Sequence, residues 1–430
     1  MNINNLKKYL LIASTSLLAS CGITPSFSDM SQAYQTEVAR YSNNNLLLNV
    51  VRASKQMPMS FLDMPSVLGS GSIGTSLGYS DAWYSTGIAG PALAAGGGYS
   101  NFANFGLNTN RGFNFTQSSL DNADFIKGFL SPLNMANVSY FTNGQQPKYL
   151  VFHLLIGSIS FTNKDGKFVS LINDPYSSNY ADFQYAMNLL VSLGLTTEMV
   201  QKMNFIGPTF TEQSLISSHM MSTFMTSPNK GGTILKKTVQ GKDIYQYGVP
   251  EIGFRFCFNP VVAKDEVIER FGEDLLCHAM AGSGTEIPKV DGTKPIKDSA
   301  HEKVALNNSQ KSSKKQAFSL QVRSPNDVFS YLGVVTYKQI QSGNKEYVTV
   351  PSDQGTLVGD TKQNVQTPIL MVEQTVPRKK IAVVEYDDEI YAVPQVQNGF
   401  SSATMNILSQ LVNICKVAGS IPPSPAVLVK

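Results

Sequence analysis

The sequence predicts an α+β fold on three observations. Residues 103–115 alternate between apolar and polar positions, which is the period-two pattern of a strand or hairpin. Residues 121–226 carry apolar residues mainly at helical spacing, and the chain beyond residue 318 mixes helical and strand-like segments. The predicted arrangement is a β-rich N-terminal part with a Gly-rich hairpin, a helical middle, and a small C-terminal α/β unit with an antiparallel hairpin.

The N-terminus has the parts of an export signal. Lys7 and Lys8 supply positive charge, and residues 9–19 form an apolar run of about half the ~20 residues that a membrane-spanning helix needs. The segment Leu18-Ala19-Ser20-Cys21-Gly22 resembles a lipobox, in which the cysteine thiol takes diacylglycerol and becomes the new N-terminus. The chain therefore resembles bacterial lipoproteins with lipid on Cys21. An ordinary secretory signal with a chance cysteine is the alternative.

Lipid on Cys21 would hold the chain on a membrane without a spanning helix, because two or more acyl chains give stable anchoring. No later segment reaches 18 uninterrupted apolar residues. In the lipoproteins that this one resembles, Asp after the cysteine favours the inner membrane, so Gly22 favours the outer membrane. We expect a lipid-anchored outer-membrane protein that faces the periplasm.

The charge balance gives no support for binding of nucleic acid. Removal of Lys7 and Lys8 with the signal leaves 32 of the 34 basic side chains, against 31 acidic ones. Charged residues make up 15 % of the chain, compared with about 25 % in ordinary soluble domains. We therefore expect a surface that is unusually uncharged, buried in a complex or placed in lipid. The expected partners are the membrane, other envelope proteins and further copies of the chain.

Changes in composition predict the domain boundaries. Residues 69–117 contain eleven Gly and only two charges, Asp81 and Arg111, whereas residues 283–317 contain seven Lys and no aromatic residue. The expected segments are a signal peptide at 1–20, a tether at 21–30, a helix plus a Gly-rich β region at 31–120, a mainly helical middle with strands near 232–258 at 121–282, a mobile basic loop at 283–317, and an α/β unit at 318–430.

Spacing and helix-breaking residues predict the elements. Ser31 begins a helix that Pro58 ends, residues 59–68 form a strand, and Asn108-Thr109-Asn110 is the expected turn of the Gly-rich hairpin. Further helices are predicted from Asp121 to Pro132 and at 134–144, 147–157, 182–194, 212–226, 264–280, 326–340 and 402–417. Further strands are predicted at 232–239, 243–258, 318–323, 346–350 and 369–376, with a hairpin at 381–393 that turns at Asp387-Asp388.

Three cysteines remain once Cys21 is acylated. Cys257 lies in a strand-like apolar run, Cys277 lies in the helix predicted for 264–280, and Cys415 lies near the C-terminus. The periplasm permits disulfides, so a Cys257–Cys277 bridge is one alternative, and three buried thiols are the other.

Two catalytic patterns match the sequence but lack their structural setting. Gly69–Gly74 fits a dinucleotide-binding loop without the helix that would hold the phosphate, and Gly74–Gly78 places Ser76 as in a nucleophile elbow. Such matches arise by chance in a Gly/Ser-rich run. We predict no catalytic residue and no cofactor.

The histidines and acidic residues show no metal-ligand spacing. His153 and His219 lie in apolar and Met-rich runs that indicate core positions, and His301 lies in the basic loop. Cys277 and His278 would point about 100° apart on a helix and share no metal. The run Asp387-Asp388-Glu389 is interpreted as the solvated tip of a hairpin. We therefore predict no metal site.

Several short stretches, in this order, resemble an uncharacterised family of proteobacterial envelope lipoproteins. The resemblance covers most of the mature chain and implies no activity or site that can be transferred. The stretches are Leu46-Leu47-Leu48-Asn49-Val50-Val51-Arg52, Asp124-Phe125, Leu130-Ser131-Pro132, Phe254-Arg255-Phe256-Cys257, Arg323-Ser324-Pro325, Tyr331-Leu332-Gly333, Leu408-Ser409-Gln410-Leu411-Val412 and Pro422 to Val427.

The sequence leaves three functions open. The first is a non-enzymatic scaffold, assembly or binding component of the envelope, in a surface or secretion apparatus; low charge and the lack of a polar catalytic set favour it. The second is a subunit of an oligomeric outer-membrane pore that inserts a hairpin at residues 76–117. The third is a periplasmic hydrolase of cell wall or lipid, for which Ser76 is the only candidate nucleophile.

Overall fold

A computed structural model describes residues 27–83, 99–120, 122–162, 167–211, 233–239, 242–278, 318–352, 356–358, 361–363, 365–397 and 399–416. The fold is mixed α+β, as predicted, with several small antiparallel sheets. The export signal with Cys21, the helix predicted at 212–226 and the basic loop at 283–317 lie outside the described residues. The chain divides into two compact units, residues 1–60 with 121–417 and residues 61–120 with 418–430.

The elements are numbered here in chain order. The helices are α1 Phe27–Ser54, α2 Ala123–Leu130, α3 Met135–Thr142, α4 Lys148–Leu155, α5 Tyr180–Ser192, α6 Pro260–Arg270, α7 Pro325–Gln341 and α8 Ser401–Cys415. The strands are β1 Leu62–Trp83, β2 Tyr99–Ser119, β3 Ile156–Thr162, β4 Phe168–Ile172, β5 Leu195–Phe210, β6 Thr233–Val239, β7 Lys242–Phe258, β8 Phe318–Val322, β9 Thr349–Pro351, β10 Thr356–Val358, β11 Thr361–Gln363, β12 Gln366–Pro368, β13 Lys380–Tyr386 and β14 Glu389–Pro394.

Helix α1 contributes its C-terminal half to the core of the first unit. Leu47, Val50 and Val51 have no exposed surface, and the buried Asn49 amide both donates to the Ser60 carbonyl and accepts from the Ser60 N–H. These two hydrogen bonds fix the chain where it leaves the helix. Helix α7 crosses α1 closely at Gly333, where an added Cβ would lie 2.7 Å from the carbonyl carbon of Ala53.

The sheet β4-β3-β8 packs one apolar face against α5. Ile159, Leu171 and Leu320 lie on that face and are buried, and β3 pairs antiparallel with both of its neighbours. On the other face the Ser158 hydroxyl donates to Gln321 and the Ser160 hydroxyl donates to Ser170. The sheet therefore follows the apolar and polar alternation expected for strands with one buried face.

Arg323 joins the C-terminal end of α4 to β8 from a fully buried position. Helix ends leave carbonyl groups without helical partners, and the Arg323 guanidinium donates to the carbonyl oxygens of His153 at 3.0 Å, Leu154 at 3.1 Å and Asn173 at 2.5 Å. It also lies 4.0 Å from the ring centroid of Tyr331. Burial lowers the pKa of Arg323 to about 10, which leaves it charged at neutral pH.

The sheet β5-β7-β6 has β7 in the centre and is antiparallel throughout. Strands β6 and β7 were predicted, but no strand was predicted at β5. The helix predicted at 264–280 is present as far as Arg270, where α6 ends, and the prediction is wrong beyond it. Gly272, with a φ of 103°, turns the chain there into a short 3₁₀ segment at Glu273–Leu275. Cys277 therefore does not lie on a helix.

The C-terminal part holds α7, α8 and a set of short hairpins. Ser324 and Asp327 form a capping box at the start of α7, which satisfies two backbone N–H groups. The hairpin β13–β14 turns at Asp387 and Asp388 as predicted, and both residues have positive φ, as a tight hairpin turn requires. The strand predicted at 369–376 is wrong: β12 ends at Pro368, and only an isolated bridge follows at Glu373.

Lys55 connects the end of α1 with the tip of that hairpin. Its ammonium group lies 3.1 Å from the Asp387 carboxylate and 3.4 Å from the Glu389 carboxylate. Hydrogen bonds with Tyr391, Asp387 and Glu389 outweigh its desolvation and raise the pKa of Lys55. One lysine of the same unit therefore pairs with two of the three acidic residues at the tip, and the turn predicted there is present.

Candidate functional site

The hairpin β1–β2 consists of the two longest strands among the described residues, with 22 and 21 residues. Its two strands pair without interruption from Ser66 with Thr116 to Trp83 with Tyr99, one pair for each residue from 66 to 83 and hence eighteen pairs. At ~3.3 Å per residue this ladder is roughly 60 Å long. Among the strands that the structure describes, β1 and β2 pair only with each other. A hairpin of two strands is marginally stable alone in water.

The predicted turn at Asn108-Thr109-Asn110 is wrong. Asn108 pairs with Gly74 and Asn110 pairs with Ser72, so the three residues lie in the middle of β2. The strands are joined instead by residues 84–98, which lie outside the described residues. The period-two pattern of residues 103–115 does form a strand, as predicted.

The register divides the hairpin into two chemically different faces. Between Ser66 and Trp83 every pair joins two even-numbered or two odd-numbered residues, so each parity occupies one face. The odd face is mainly apolar, and the even face is mainly Gly, Ser and Asn. In the central part the odd residues are Ile73, Thr75, Leu77, Tyr79, Ala103, Phe105, Leu107 and Thr109, and the even residues are Ser72, Gly74, Ser76, Gly78, Ser80, Phe102, Asn104, Gly106, Asn108 and Asn110.

An uncharged window occupies the centre of the ladder. Arg111 pairs with Gly71 at one end of it, and Asp81 pairs with Asn101 at the other. The pairs between them run from Ser72 with Asn110 to Ser80 with Phe102, which is nine residues on each strand. A strand that crosses a bilayer uses about 9–11 residues. The window therefore has the length of one membrane crossing, with a charged residue just outside each end.

Aromatic residues border this window on the apolar face. Trp83 and Tyr99 lie beyond the window toward the tip of the hairpin, and Phe113 and Phe115 lie beyond it toward the base, all at odd positions; Tyr79 lies just inside the window at its tip end. Aromatic side chains are enriched where a protein meets the two surfaces of a bilayer. Their placement at both ends of the uncharged window agrees with the window's length.

A second cluster lies in the first unit, where β5 faces β7. Glu198 pairs with Arg255 across the strands, and the Arg255 Nε donates to the Glu198 carboxylate at 2.7 Å. The other guanidinium nitrogens donate to the carbonyls of Asp274 at 2.6 Å and Leu276 at 2.9 Å. Arg255 thereby holds the segment after α6 against the sheet.

The same segment carries Cys277 and His278. Cys277 is joined to Cys257 by a disulfide, the first of the two alternatives that the sequence left open, and Cys415 is a buried free thiol. The His278 N–H donates to the Glu198 carboxylate at 2.9 Å, and the His278 Nδ1 lies 3.0 Å from the same carboxylate. No local pattern indicated Glu198, because it lies 57 residues from Arg255 in the chain and contacts it only through strand pairing.

The serine and histidine residues considered from the sequence do not form a catalytic arrangement in the described part of the chain. Ser76 lies within β1 opposite Gly106, and no helix follows it there, so the nucleophile elbow and the dinucleotide loop are both absent from the described part of the hairpin. His153 is fully buried in α4, its Nδ1 lies 2.7 Å from the Tyr149 carbonyl, and burial lowers its pKa to about 4. His219 and His301 lie outside the described residues.

A cavity of about 390 Å³ lies between α5 and the apolar face of β4-β3-β8. Its lining is aliphatic and aromatic except for Asp182 and Tyr185, and no pair of groups in it is arranged for acid–base or nucleophilic chemistry. No described helix is long and apolar enough to cross a membrane.

No protein-family model matches the chain, and no curated protein and no solved structure is similar to it.

Proposed function

We propose that the chain is a lipid-anchored protein of the bacterial outer membrane that acts by assembly and not by catalysis, and that the hairpin β1–β2 is its membrane-inserting element. The observation that carries the proposal is the nine-residue uncharged window with one apolar and one small polar face. Lipid on Cys21 would keep the hairpin close to the membrane surface.

The two faces of the hairpin suit the two environments of a strand that separates lipid from water. A strand that separates lipid from water alternates apolar and polar residues, as the window does. The even face, with Gly, Ser and Asn, suits a water-filled interior, and the odd face suits hydrocarbon. Nine residues at ~3.3 Å and a tilt of ~45° span roughly 21 Å, close to the ~25 Å apolar band of outer-membrane strands.

The backbone then requires partners. Inside a bilayer every main-chain N–H and C=O needs a hydrogen bond, and one hairpin leaves the outer edges of both strands unsatisfied. Copies of the same hairpin have the same length and the same faces, so they supply matching edges. The specific form of the proposal is an oligomer in which hairpins from several copies close into one ring and form an outer-membrane pore.

The faces can be tested by paired cysteine labelling in outer-membrane vesicles. Ser76→Cys and Leu77→Cys are adjacent substitutions on opposite faces of β1. A water-soluble maleimide should label Ser76→Cys and spare Leu77→Cys, because only the thiolate reacts and hydrocarbon keeps a thiol protonated. Both variants should be labelled after denaturation, which shows that each thiol is present. Cys415, which is buried, gives the background that is measured in the unsubstituted protein.

The oligomer is tested by native mass of the detergent-extracted protein and by crosslinking in vesicles. The proposal expects a defined multimer, and a Cys21→Ser variant, which lacks the anchor, should form much less of this multimer in the outer-membrane fraction. Equal labelling of both cysteines by the water-soluble reagent, together with a strict monomer, would refute the proposal.

A further inference from the structure

We infer that Cys257, Cys277, Glu198 and His278 form a binding site for one Zn²⁺ ion when the disulfide between the two cysteines is reduced. Carboxylate and thiol ligand atoms of Glu198, Cys257 and Cys277 all lie within 4.8 Å of one another. Zinc in proteins takes four ligands in a tetrahedron, at ~2.3 Å for sulfur and ~2.0–2.2 Å for nitrogen and oxygen. Neighbouring ligand atoms in such a tetrahedron are about 3.5 Å apart, so small movements bring these groups to one ion.

His278 supplies the fourth ligand. Its Nδ1 lies 3.0 Å from the Glu198 Oε1 and 3.4 Å from the Arg255 Nη2. Its side chain is half exposed, so the ring can turn toward the sulfur atoms without a change in the core. From the sequence, a metal shared by Cys277 and His278 was excluded because both residues were expected on one helix. The structure removes this objection, since the 3₁₀ segment ends at Leu275.

Reduction leaves the two thiols in place, because other hydrogen bonds hold the segment. The Cys277 N–H donates to the Phe258 carbonyl at 2.9 Å, and Arg255 donates to the carbonyls of Asp274 and Leu276. These bonds do not involve sulfur. A binding site that is already arranged loses less entropy when the ion binds.

The charges of the site also balance. Two thiolates and the Glu198 carboxylate carry three negative charges, and Zn²⁺ with the Arg255 guanidinium carries three positive ones. Glu198 retains only 12 % of its side-chain exposure, so this compensation matters in a poorly solvated position. Arg255 therefore acts as the counter-charge beside the metal ligands, and not as a ligand.

The redox step is a thiol–disulfide exchange. A dithiol reductant gives two electrons and two protons to the Cys257–Cys277 bond, which becomes two thiols, while the reductant becomes a disulfide. Zn²⁺ then binds the two thiolates and releases their two protons to solvent. In the reverse direction a disulfide oxidant takes two electrons from the zinc-bound thiolates and two protons from solvent and becomes a dithiol, while the Cys257–Cys277 bond re-forms and the ion is released.

The test uses the detergent-extracted, lipidated chain with Co²⁺ as a spectroscopic probe. After reduction by a water-soluble phosphine and its removal under nitrogen, one equivalent of Co²⁺ should produce a thiolate-to-cobalt charge-transfer band and the visible bands of a tetrahedral ion. Equimolar Zn²⁺ should abolish these bands. The unreduced protein should show none of them.

Variants separate this site from binding to thiols alone. Glu198→Gln and His278→Ala should each weaken Co²⁺ binding by about tenfold or more. Glu251→Gln, at an exposed glutamate on β7, the strand that carries Cys257, and Cys415→Ser should leave it unchanged. The inference is overturned if the reduced wild type shows no charge-transfer band, or if Glu198→Gln and His278→Ala bind Co²⁺ as the wild type does. Because the exposed His278 is remote from the core, its variant stays informative if Glu198→Gln fails to fold.

Discussion

Replacement of Gly333 by Ala should destabilise the first unit through the crossing of α1 and α7. The new Cβ would lie 2.7 Å from the Ala53 carbonyl carbon, 2.8 Å from the Ala53 Cβ and 2.8 Å from the Ser54 nitrogen. Ordinary contacts of this kind begin near 3.4 Å, so the two helices must separate by most of an ångström. Two of the three atoms belong to the backbone of α1 and cannot move aside by changing a rotamer.

The magnitude follows from two opposing effects. Overpacking a well-filled contact costs about 1–3 kcal/mol, while Ala in place of Gly favours a helix interior by ~1 kcal/mol. We expect a net loss of up to about 2 kcal/mol, which lowers the melting temperature by up to about 4 °C for a unit of this size.

Gly128→Ala is the matched control for this measurement. Gly128 also lies within a helix, α2, but an added Cβ there meets only Cys415, at 3.7–3.8 Å, which is ordinary contact. This variant should be as stable as the wild type or slightly more so. Thermal unfolding of both variants, followed by circular dichroism in one detergent, makes the comparison. Equal melting temperatures for Gly333→Ala and Gly128→Ala would refute the argument from close helix packing.

Three further predictions concern buried groups of the first unit. Arg323→Met should cost about 3 kcal/mol or more in urea unfolding, because three buried carbonyls lose their donor; unchanged stability would show that water replaces the guanidinium. The pKa of His153 is about 4 in the fold and 6.5 unfolded, so the unfolded chain binds the extra proton and stability should fall as pH drops from 6.5 toward 4. His153→Gln should flatten this slope in pH-dependent melts, and an unchanged slope would place its origin in other groups. Cys257→Ser should cost ~3 kcal/mol by opening a loop with a sequence separation of 20. In the wild type, alkylation after denaturation without reduction should modify Cys415 and spare Cys277.

Local signals in the sequence predicted the elements whose causes are local. The helix cap at Ser324, the turn at Asp387 and the strand character of residues 103–115 all arise from residues within a few positions of each other. The turn at Asn108 was wrong because Asn favours turns but is also a small polar residue that suits the even face of a strand. Only the pairing of β2 with β1 distinguishes these two roles, and pairing is not a local property.

The hairpin and the Glu198 cluster differ in how much of each could be predicted from the sequence. The alternation of apolar and polar residues in β2 could be seen in the sequence. Which residues of β1 share the apolar face with it is known only from the register of the two strands. The cluster at Glu198 could not be predicted from the sequence. Strand pairing brings Glu198 to Arg255, and the early end of α6 brings His278 close to both residues. Gly272 was the available signal for that early end, because Gly just after an apolar helical run commonly terminates it.

A β-bulge at the base of the hairpin brings the apolar residues of β1 and β2 to the same face of the ladder. Below it Asp63 pairs with Ser118, above it Ser66 pairs with Thr116, and so two residues of β1, Met64 and Pro65, stand opposite one of β2. Proline has no N–H to donate and is tolerated at such a bulge. The loop at the far tip can lengthen or shorten without altering the sidedness of the ladder. Deleting either Met64 or Pro65 would leave one residue opposite Gln117, so every pair above and below the bulge could be kept and the two faces would stay as they are.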